Sequence, residues 1–74
     1  MGDHTGFTVV LRGYDPDEVD AIIRRIEQAQ ASIDPALRAT VRAELSHPTF
    51  RIRMRGYDRP QVDDYLRRAI DKLA

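Results

Sequence analysis

The 74-residue sequence contains no cysteine and no tryptophan, and its 12 basic and 12 acidic residues cancel to a net charge of zero. Without cysteine, disulfides cannot staple the fold. The two histidines, His4 and His47, are far apart and lack ligand-like neighbours, so we expect no structural metal and no cofactor. A chain of this size buries only about 60% of its unfolded surface. We therefore expect self-association, as a homo-oligomer, or a protein partner to supplement a thin core.

Two further absences limit the class of protein. Zero net charge gives no global field toward nucleic acid or an anionic membrane, so any such attraction must be local. The N-terminal MGDHTG lacks the apolar region of a signal peptide, and nowhere do about 18 apolar residues follow one another. These features are typical of a soluble, cytoplasmic protein.

Catalysis is not expected. Four carboxylates lie close together in the sequence, at Asp15, Asp17, Glu18 and Asp20. They stand at the start of a predicted helix, where capping and the macrodipole favour anions, so no reaction is needed to explain them. The sequence has no nucleophile constellation and no phosphate-binding loop, and a chain this small has little room for a pocket. We predict that the protein is not an enzyme.

The sequence does contain an internal repeat. LRGYD at 11–15 returns as MRGYD at 54–58, and an offset of 43 residues makes nine of nineteen positions identical between 7–25 and 50–68. This self-similarity indicates a tandem duplication of one supersecondary unit. We define the copies as 7–29 and 50–73, joined by a helix at 35–46, within one domain spanning 1–74.

Each copy begins with a predicted strand, FTVVL or FRIRM, in which apolar residues alternate. These residues are Phe7, Val9 and Leu11 in the first copy and Phe50, Ile52 and Met54 in the second. The alternation places them on a buried face. Gly13 and Gly56 follow, and we expect each to permit a sharp turn, with φ positive.

Helix starts follow the glycines. Asp15 and Asp58 are predicted N-caps, and Glu18 and Gln61 stand three residues later, which completes the capping-box pattern. Pro16 suits the first helical position.

Three amphipathic helices are predicted. Their apolar stripes are Val19, Ile22, Ile23, Ile26, Ala29 and Ile33; then Leu37, Val41 and Leu45; then Val62, Tyr65, Leu66, Ala69, Ile70 and Leu73. A first helix of about 18 residues and a returning one of about 12 bring the second strand back to the first. The predicted fold is α/β and mainly α, in the order strand-helix-helix-strand-helix. It is a small two-layer unit whose two-stranded ribbon is covered by the amphipathic helices.

The repeated motif, a Phe followed by Arg-Gly-Tyr-Asp and then Val-Asp, resembles the N-terminal motif of DivIVA, a bacterial cell-division and polar-growth scaffold. The resemblance implies a crossed loop whose tip touches the membrane. Leu11 and Met54 match its apolar tip position, and Arg12 and Arg55 match its arginine. In that family the loops of two chains pair, and a long coiled coil follows that these 74 residues do not contain.

From this resemblance we expect a pseudo-dimer in which two motifs pair within one chain. The expected function is that of an adaptor or accessory subunit in a larger complex, cytoplasmic or peripheral to the inner face of the membrane. The residues expected at a partner or membrane contact are Leu11, Arg12, Tyr14, Arg51, Arg53, Met54, Arg55 and Tyr57. Three alternatives that need no partner remain open. Leu11 and Met54 would be core residues, and the motif arginines would bond carbonyls of their own turns. The tyrosines would pack over the strand-helix junction with wet hydroxyls.

An alternative is a DNA-binding protein of the ribbon-helix-helix kind, which lays a two-stranded ribbon in the major groove. Arg51, Arg53 and Arg55 alternate with apolar residues and give the second strand one basic face. The first strand carries one charge there, and the zero net charge removes the usual attraction to phosphate. Nucleic acid is therefore the less favoured partner.

Overall fold

The computed structural model describes residues 6–74, so the predictions made for His4 and most of the MGDHTG segment lie outside the described residues. Its elements are β1 (Val9–Tyr14), α1 (Pro16–Ala31), α2 (Pro35–Ser46), β2 (Ile52–Tyr57) and α3 (Arg59–Leu73). This is the predicted order, and the predicted fold class, a small and mainly helical α/β unit, is confirmed. The strands extend through the glycines rather than ending before them.

The two strands form one sheet, and their residue pairing shows that they run in opposite directions. Residue numbers fall along β2 as they rise along β1, in the pairs Val9 with Tyr57, Val10 with Gly56, Leu11 with Arg55, Gly13 with Arg53, and Tyr14 with Ile52. This is antiparallel pairing, interrupted by bulges. A further pairing, of Tyr14 with Tyr57, has the opposite sense and joins residues at the same place in the two copies. The strands therefore cross.

Contacts between the copies repeat under the 43-residue offset. The Asp15 N–H donates to the Arg51 carbonyl at 2.9 Å, and the Asp58 N–H donates to the Thr8 carbonyl at 2.8 Å. The offset converts Asp15 into Asp58 and Thr8 into Arg51, so these two bonds are equivalent. The copies are thus related by an approximate two-fold axis inside one chain, which we call the pseudo-two-fold axis.

Gly13 and Gly56 lie where the strands cross. A Cβ at Gly13 would stand 2.6 Å from the carbonyl oxygen of Gly56, and a Cβ at Gly56 would stand 2.6 Å from that of Gly13. The prediction of positive φ at Gly13 and Gly56 is wrong, because neither glycine has a positive φ. In the first copy the residue before the glycine, Arg12, is left-handed instead, with φ of 62°. Glycine is needed here because no side chain fits between the crossing backbones.

The predicted N-caps are confirmed, whereas the return bond of each predicted capping box, from the Glu18 or Gln61 side chain to its own cap, is not formed. The Asp15 carboxylate accepts from the Asp17 N–H at 2.9 Å, and the Asp58 carboxylate accepts from the Gln61 N–H at 3.3 Å. Glu18 does not return to its own cap: it accepts from the Arg51 N–H of the other copy at 2.7 Å. The equivalent Gln61 accepts from the Thr8 N–H, also at 2.7 Å. These side chains therefore fasten each helix to the opposite strand.

The core lies among the three helices. Its buried residues are Phe7, Val19, Ile23, Ile26, Ala29, Val41, Leu45, Tyr57, Val62, Leu66, Ala69 and Leu73. Ten of these twelve residues lie on the predicted helical stripes, whereas Phe7 lies just before β1 and Tyr57 ends β2. Four more stripe residues are partly buried against the core, namely Ile22, Leu37, Tyr65 and Ile70. Ile33 is 98% exposed, because α1 ends at Ala31 and the connection to α2 carries Ile33 into solvent.

Candidate interaction surface

The middle of the crossed ribbon projects from the helices. Cross-copy hydrogen bonds fasten both ends of each strand near the helix starts, and between these ends the strands stand clear of the core. We call the projecting residues Leu11, Arg12, Met54 and Arg55 the tip. The expectation that Leu11 and Met54 pack in the core is wrong, since their side chains are 75% and 76% exposed. Strand alternation alone does not bury a residue where no helix lies beneath it.

Both tip arginines have exposed side chains. Neither the Arg12 nor the Arg55 side chain makes a hydrogen bond or an ion pair within residues 6–74. The alternative in which each motif arginine bonds carbonyls of its own turn is therefore wrong. The left-handed backbone of Arg12 costs about 1–2 kcal/mol relative to an ordinary conformation. Such strain is commonest at functional sites.

The other two β2 arginines are engaged inside the chain. Arg53 Nε lies 2.9 Å from Asp15 Oδ2, and Arg51 Nε lies 3.8 Å from Glu18 Oε2. Asp15 is only 5% exposed. The hydrogen bond from Arg53 lowers the pKa of this carboxyl; burial opposes the shift, and the Asp17 and Glu18 N–H groups add to it. The predicted basic face of β2 is therefore partly neutralised.

The ion pair of Arg53 breaks the pseudo-two-fold symmetry. The residue equivalent to Arg53 in the first copy is Val10, and the residue equivalent to Asp15 is Asp58. Only the first N-cap is therefore covered by an arginine from the opposite strand.

The motif tyrosines join the two copies. The Tyr14 hydroxyl donates to Asp63 at 2.9 Å, and the Tyr57 hydroxyl donates to Asp20 at 3.1 Å. Burial, followed by the Asp63 hydrogen bond and charge, raises the pKa of Tyr14. The prediction of a wet hydroxyl is wrong for Tyr57, which is buried, whereas the Tyr14 hydroxyl bonds Asp63 at an exposed position. The sequence signal for these carboxylates is the repeated Val-Asp pair, which places Asp20 and Asp63 at equivalent positions of the two copies.

Aromatic contacts repeat the same relation. Phe7 and Tyr57 have ring centroids 5.3 Å apart at an interplanar angle of 52°, and Phe50 and Tyr14 have centroids 5.0 Å apart at 50°. Each phenylalanine therefore packs on the tyrosine of the other copy, in the tilted arrangement that aromatic pairs prefer.

The described part of the chain was compared with the requirements of a metal site and of a membrane-spanning helix. Within it, no group of three or more histidine and carboxylate side chains is placed to hold a metal ion. Across residues 6–74, no helix is both long enough and apolar enough to cross a bilayer.

Comparisons with protein-family models, with curated proteins and with solved structures find no match for this chain.

Proposed function

We propose that this protein is a non-enzymatic interaction module, an adaptor or accessory subunit that docks on a larger assembly through its tip. The observation that carries the proposal is the exposure of Leu11 and Met54 at equivalent places of the two copies, beside Arg12 and Arg55. A crossed ribbon held by cross-copy bonds keeps these four residues together without help from the core. Their chemistry suits a partner surface with an apolar recess and nearby acidic groups.

The affinity of such a contact is limited. Full burial of Leu11 or Met54 is worth about 1.5–3 kcal/mol each. Arginines that face acidic groups add a little to this binding free energy, whereas the entropy lost when the two proteins associate reduces it. The tip therefore suits transient docking, or docking strengthened by several copies in one assembly.

Membrane contact is the second form of the proposal, because the same tip corresponds to the membrane-touching tip that the DivIVA resemblance implies. Arg12 and Arg55 contribute about 1 kcal/mol each near an anionic surface. The resulting attachment is weak, and it agrees with a cytoplasmic protein that is at most peripheral to the inner face of the membrane.

The alternative of DNA binding through Arg51, Arg53 and Arg55 loses support. Two of these arginines already face carboxylates of their own chain. The equivalent positions on the first strand are Thr8, Val10 and Arg12, so one half of the ribbon presents little positive charge.

A matched pair of variants tests the proposal. Leu11→Ser with Met54→Ser removes the apolar part of the tip, and Ile33→Ser removes an exposed apolar residue from the α1–α2 connection. We expect proteins captured from a bacterial lysate by the native bait to be retained by Ile33→Ser and lost by the tip variant. Equal capture by all three baits would contradict the proposal. Sedimentation with phosphatidylglycerol and with neutral phosphatidylcholine vesicles separates the membrane form from the protein form.

A further inference from the structure

The connection between α1 and α2 interrupts an apolar stripe that would otherwise be continuous. At about 100° per residue, a single helix through both elements would place five apolar residues within an arc of about 80°. These residues are Val19, Ile26, Ile33, Leu37 and Val41. Four of them pack in or against the core, whereas Ile33, at the break, is 98% exposed. The residues thus have the pattern of one long helix, which the chain folds in two.

The bend has identifiable causes. Pro35 stands at the first position of α2. Inside a continuous helix it would lack the N–H that bonds the Ala31 carbonyl, and its ring would clash with that carbonyl. The Asp34 N–H donates to the Ser32 hydroxyl at 3.0 Å, and the Asp34 carboxylate accepts from the Ala36 N–H at 3.0 Å. Pro35 therefore opposes the straight form, and the two polar side chains stabilise the bent one.

Two cross-helix contacts fix the register of α1 on α2. The Arg25 guanidinium pairs with Glu44 at 2.8 Å, and the Arg38 guanidinium donates to the Ala29 carbonyl at 3.4 Å. Both pairs are centred within one residue of Asp34. The two helices are therefore antiparallel about the bend, and a second chain that runs in the opposite direction can supply the same contacts.

We propose that the α1–α2 connection is a hinge that Pro35 holds closed, and that straightening it lets two chains exchange their first motif copies. In the exchanged dimer, α1 of each chain packs on α2 of the other, and β1 of each chain crosses β2 of the other. Only an identical chain reproduces every contact of the closed form, so the occupant is a second molecule of this protein. The hinge works in the same way whether or not the tip docks on a partner.

Ile33 gains a contact in the exchanged dimer. Straightening joins α1 and α2 into one helix from Pro16 to Ser46, about 46 Å long, and two such helices lie antiparallel. Their two-fold axis passes through the hinge, because the cross-helix pairs are centred there. The Ile33 side chains of the two chains therefore meet at this axis.

The exchange also changes the number of tips in one particle. Because β1 precedes α1 and β2 follows α2, the ribbon lies at the end of the helix pair away from the hinge. The exchanged dimer therefore carries two tips at opposite ends, whereas the closed monomer carries one. Two tips on one rigid body suit docking at two places of the same assembly.

Three variants test the hinge. Pro35→Ala removes the obstacle to a continuous helix. Pro16→Ala is the matched control, because Pro16 holds the first position of α1 but follows a strand rather than a helix. Pro35→Ala with Ile33→Asp adds a charge at the two-fold axis, on a side chain that is exposed in the closed form. A proline disfavours a helix interior by about 100-fold, so its loss from both chains should raise the dimerisation constant by about 10⁴-fold.

Each protein is unfolded in urea, refolded at about 0.5 mM and measured by sedimentation equilibrium. We expect native protein and Pro16→Ala to be monomeric, Pro35→Ala to be dimeric, and the variant that also carries Ile33→Asp to be monomeric. A one-to-one mixture of isotope-labelled and unlabelled Pro35→Ala chains, refolded together, should show a nuclear Overhauser effect between the α-protons of Gly13 and Gly56 in different molecules. Each ribbon of the exchanged dimer is built from two chains, whereas the native ribbon is built from one.

Other outcomes overturn the hinge. Pro35→Ala that stays monomeric would mean that the proline does not hold the connection closed. A Pro35→Ala dimer without the effect between molecules would mean that the chains associate without exchange. Equal dimerisation of Pro16→Ala would assign the change to the loss of any proline, and a dimer that survives Ile33→Asp would contradict the contact at the two-fold axis.

Discussion

Gly13→Ala is the substitution whose effect the crossing determines most directly. The added Cβ would stand 2.6 Å from the carbonyl oxygen of Gly56, well under the 3.0 Å below which something must shift. Since an ordinary contact is about 3.5 Å or longer, the crossing backbones must separate by about 1 Å. Overpacking of this kind costs about 1–3 kcal/mol. Weakening the adjacent cross-copy hydrogen bonds adds about 1 kcal/mol.

The expected destabilisation, about 3 kcal/mol, is large for this protein. A chain of this length has a free energy of unfolding of about 4–11 kcal/mol. Each lost kcal/mol lowers the melting temperature by about 4–8 °C in a domain of this size. Urea and thermal unfolding, followed by far-ultraviolet circular dichroism, would measure both quantities.

Two controls separate crowding from backbone conformation. Gly6 has φ of +75° but nothing within 4 Å of an added Cβ, so Gly6→Ala should cost only the left-handed penalty of about 1–2 kcal/mol. Gly56→Ala meets the same obstacle as Gly13→Ala and should cost the same within about 0.5 kcal/mol. The double variant should cost less than the sum, because one separation relieves both clashes. An unchanged melting temperature in Gly13→Ala would refute the close crossing.

Three further predictions concern the strands and their charges. Val10→Arg should place a guanidinium beside Asp58, as Arg53 lies beside Asp15, and raise the free energy of unfolding in urea by about 0.2–1 kcal/mol; a decrease would contradict the pseudo-two-fold relation. The lowered pKa of Asp15 means that its stabilisation is present above the unfolded pKa of about 3.9 and is lost as pH falls through the lower folded value. Arg53→Gln should therefore lower the free energy of unfolding near neutral pH and make it fall less steeply as pH drops below about 4. Urea titrations at several pH values would show both effects. Curves of stability against pH that run parallel for the variant and the native protein would refute this. Arg12→Gly should relieve the positive φ and raise stability by about 1 kcal/mol while weakening docking, and a lower melting temperature would argue against strain at the tip.

Local sequence patterns predicted the helices well. The apolar stripe through Val19, Ile23 and Ile26 has the helical period, and Asp15 caps the helix through a bond to its own neighbour. Such features depend on residues a few positions apart, so the sequence displays them directly.

The tip could not be placed by the same reasoning. Alternating apolar residues in a strand are expected to face a core, yet Leu11 and Met54 lie on a part of the ribbon that no helix covers. That position follows from the approach of Gly13 to Gly56, residues far apart in the chain. Glu18 shows the same limit, because its local capping role is replaced by a bond to Arg51 of the other copy.

The pairing of both motifs inside one chain is the central claim, and isotope-filtered nuclear magnetic resonance tests it most directly. A uniformly labelled sample should show a nuclear Overhauser effect between the α-protons of Gly13 and Gly56. A one-to-one mixture of labelled and unlabelled chains, unfolded and refolded together, should show no such effect between labelled and unlabelled molecules. A strong effect between molecules in the mixture would mean that the strands cross between chains, and would contradict the pseudo-dimer.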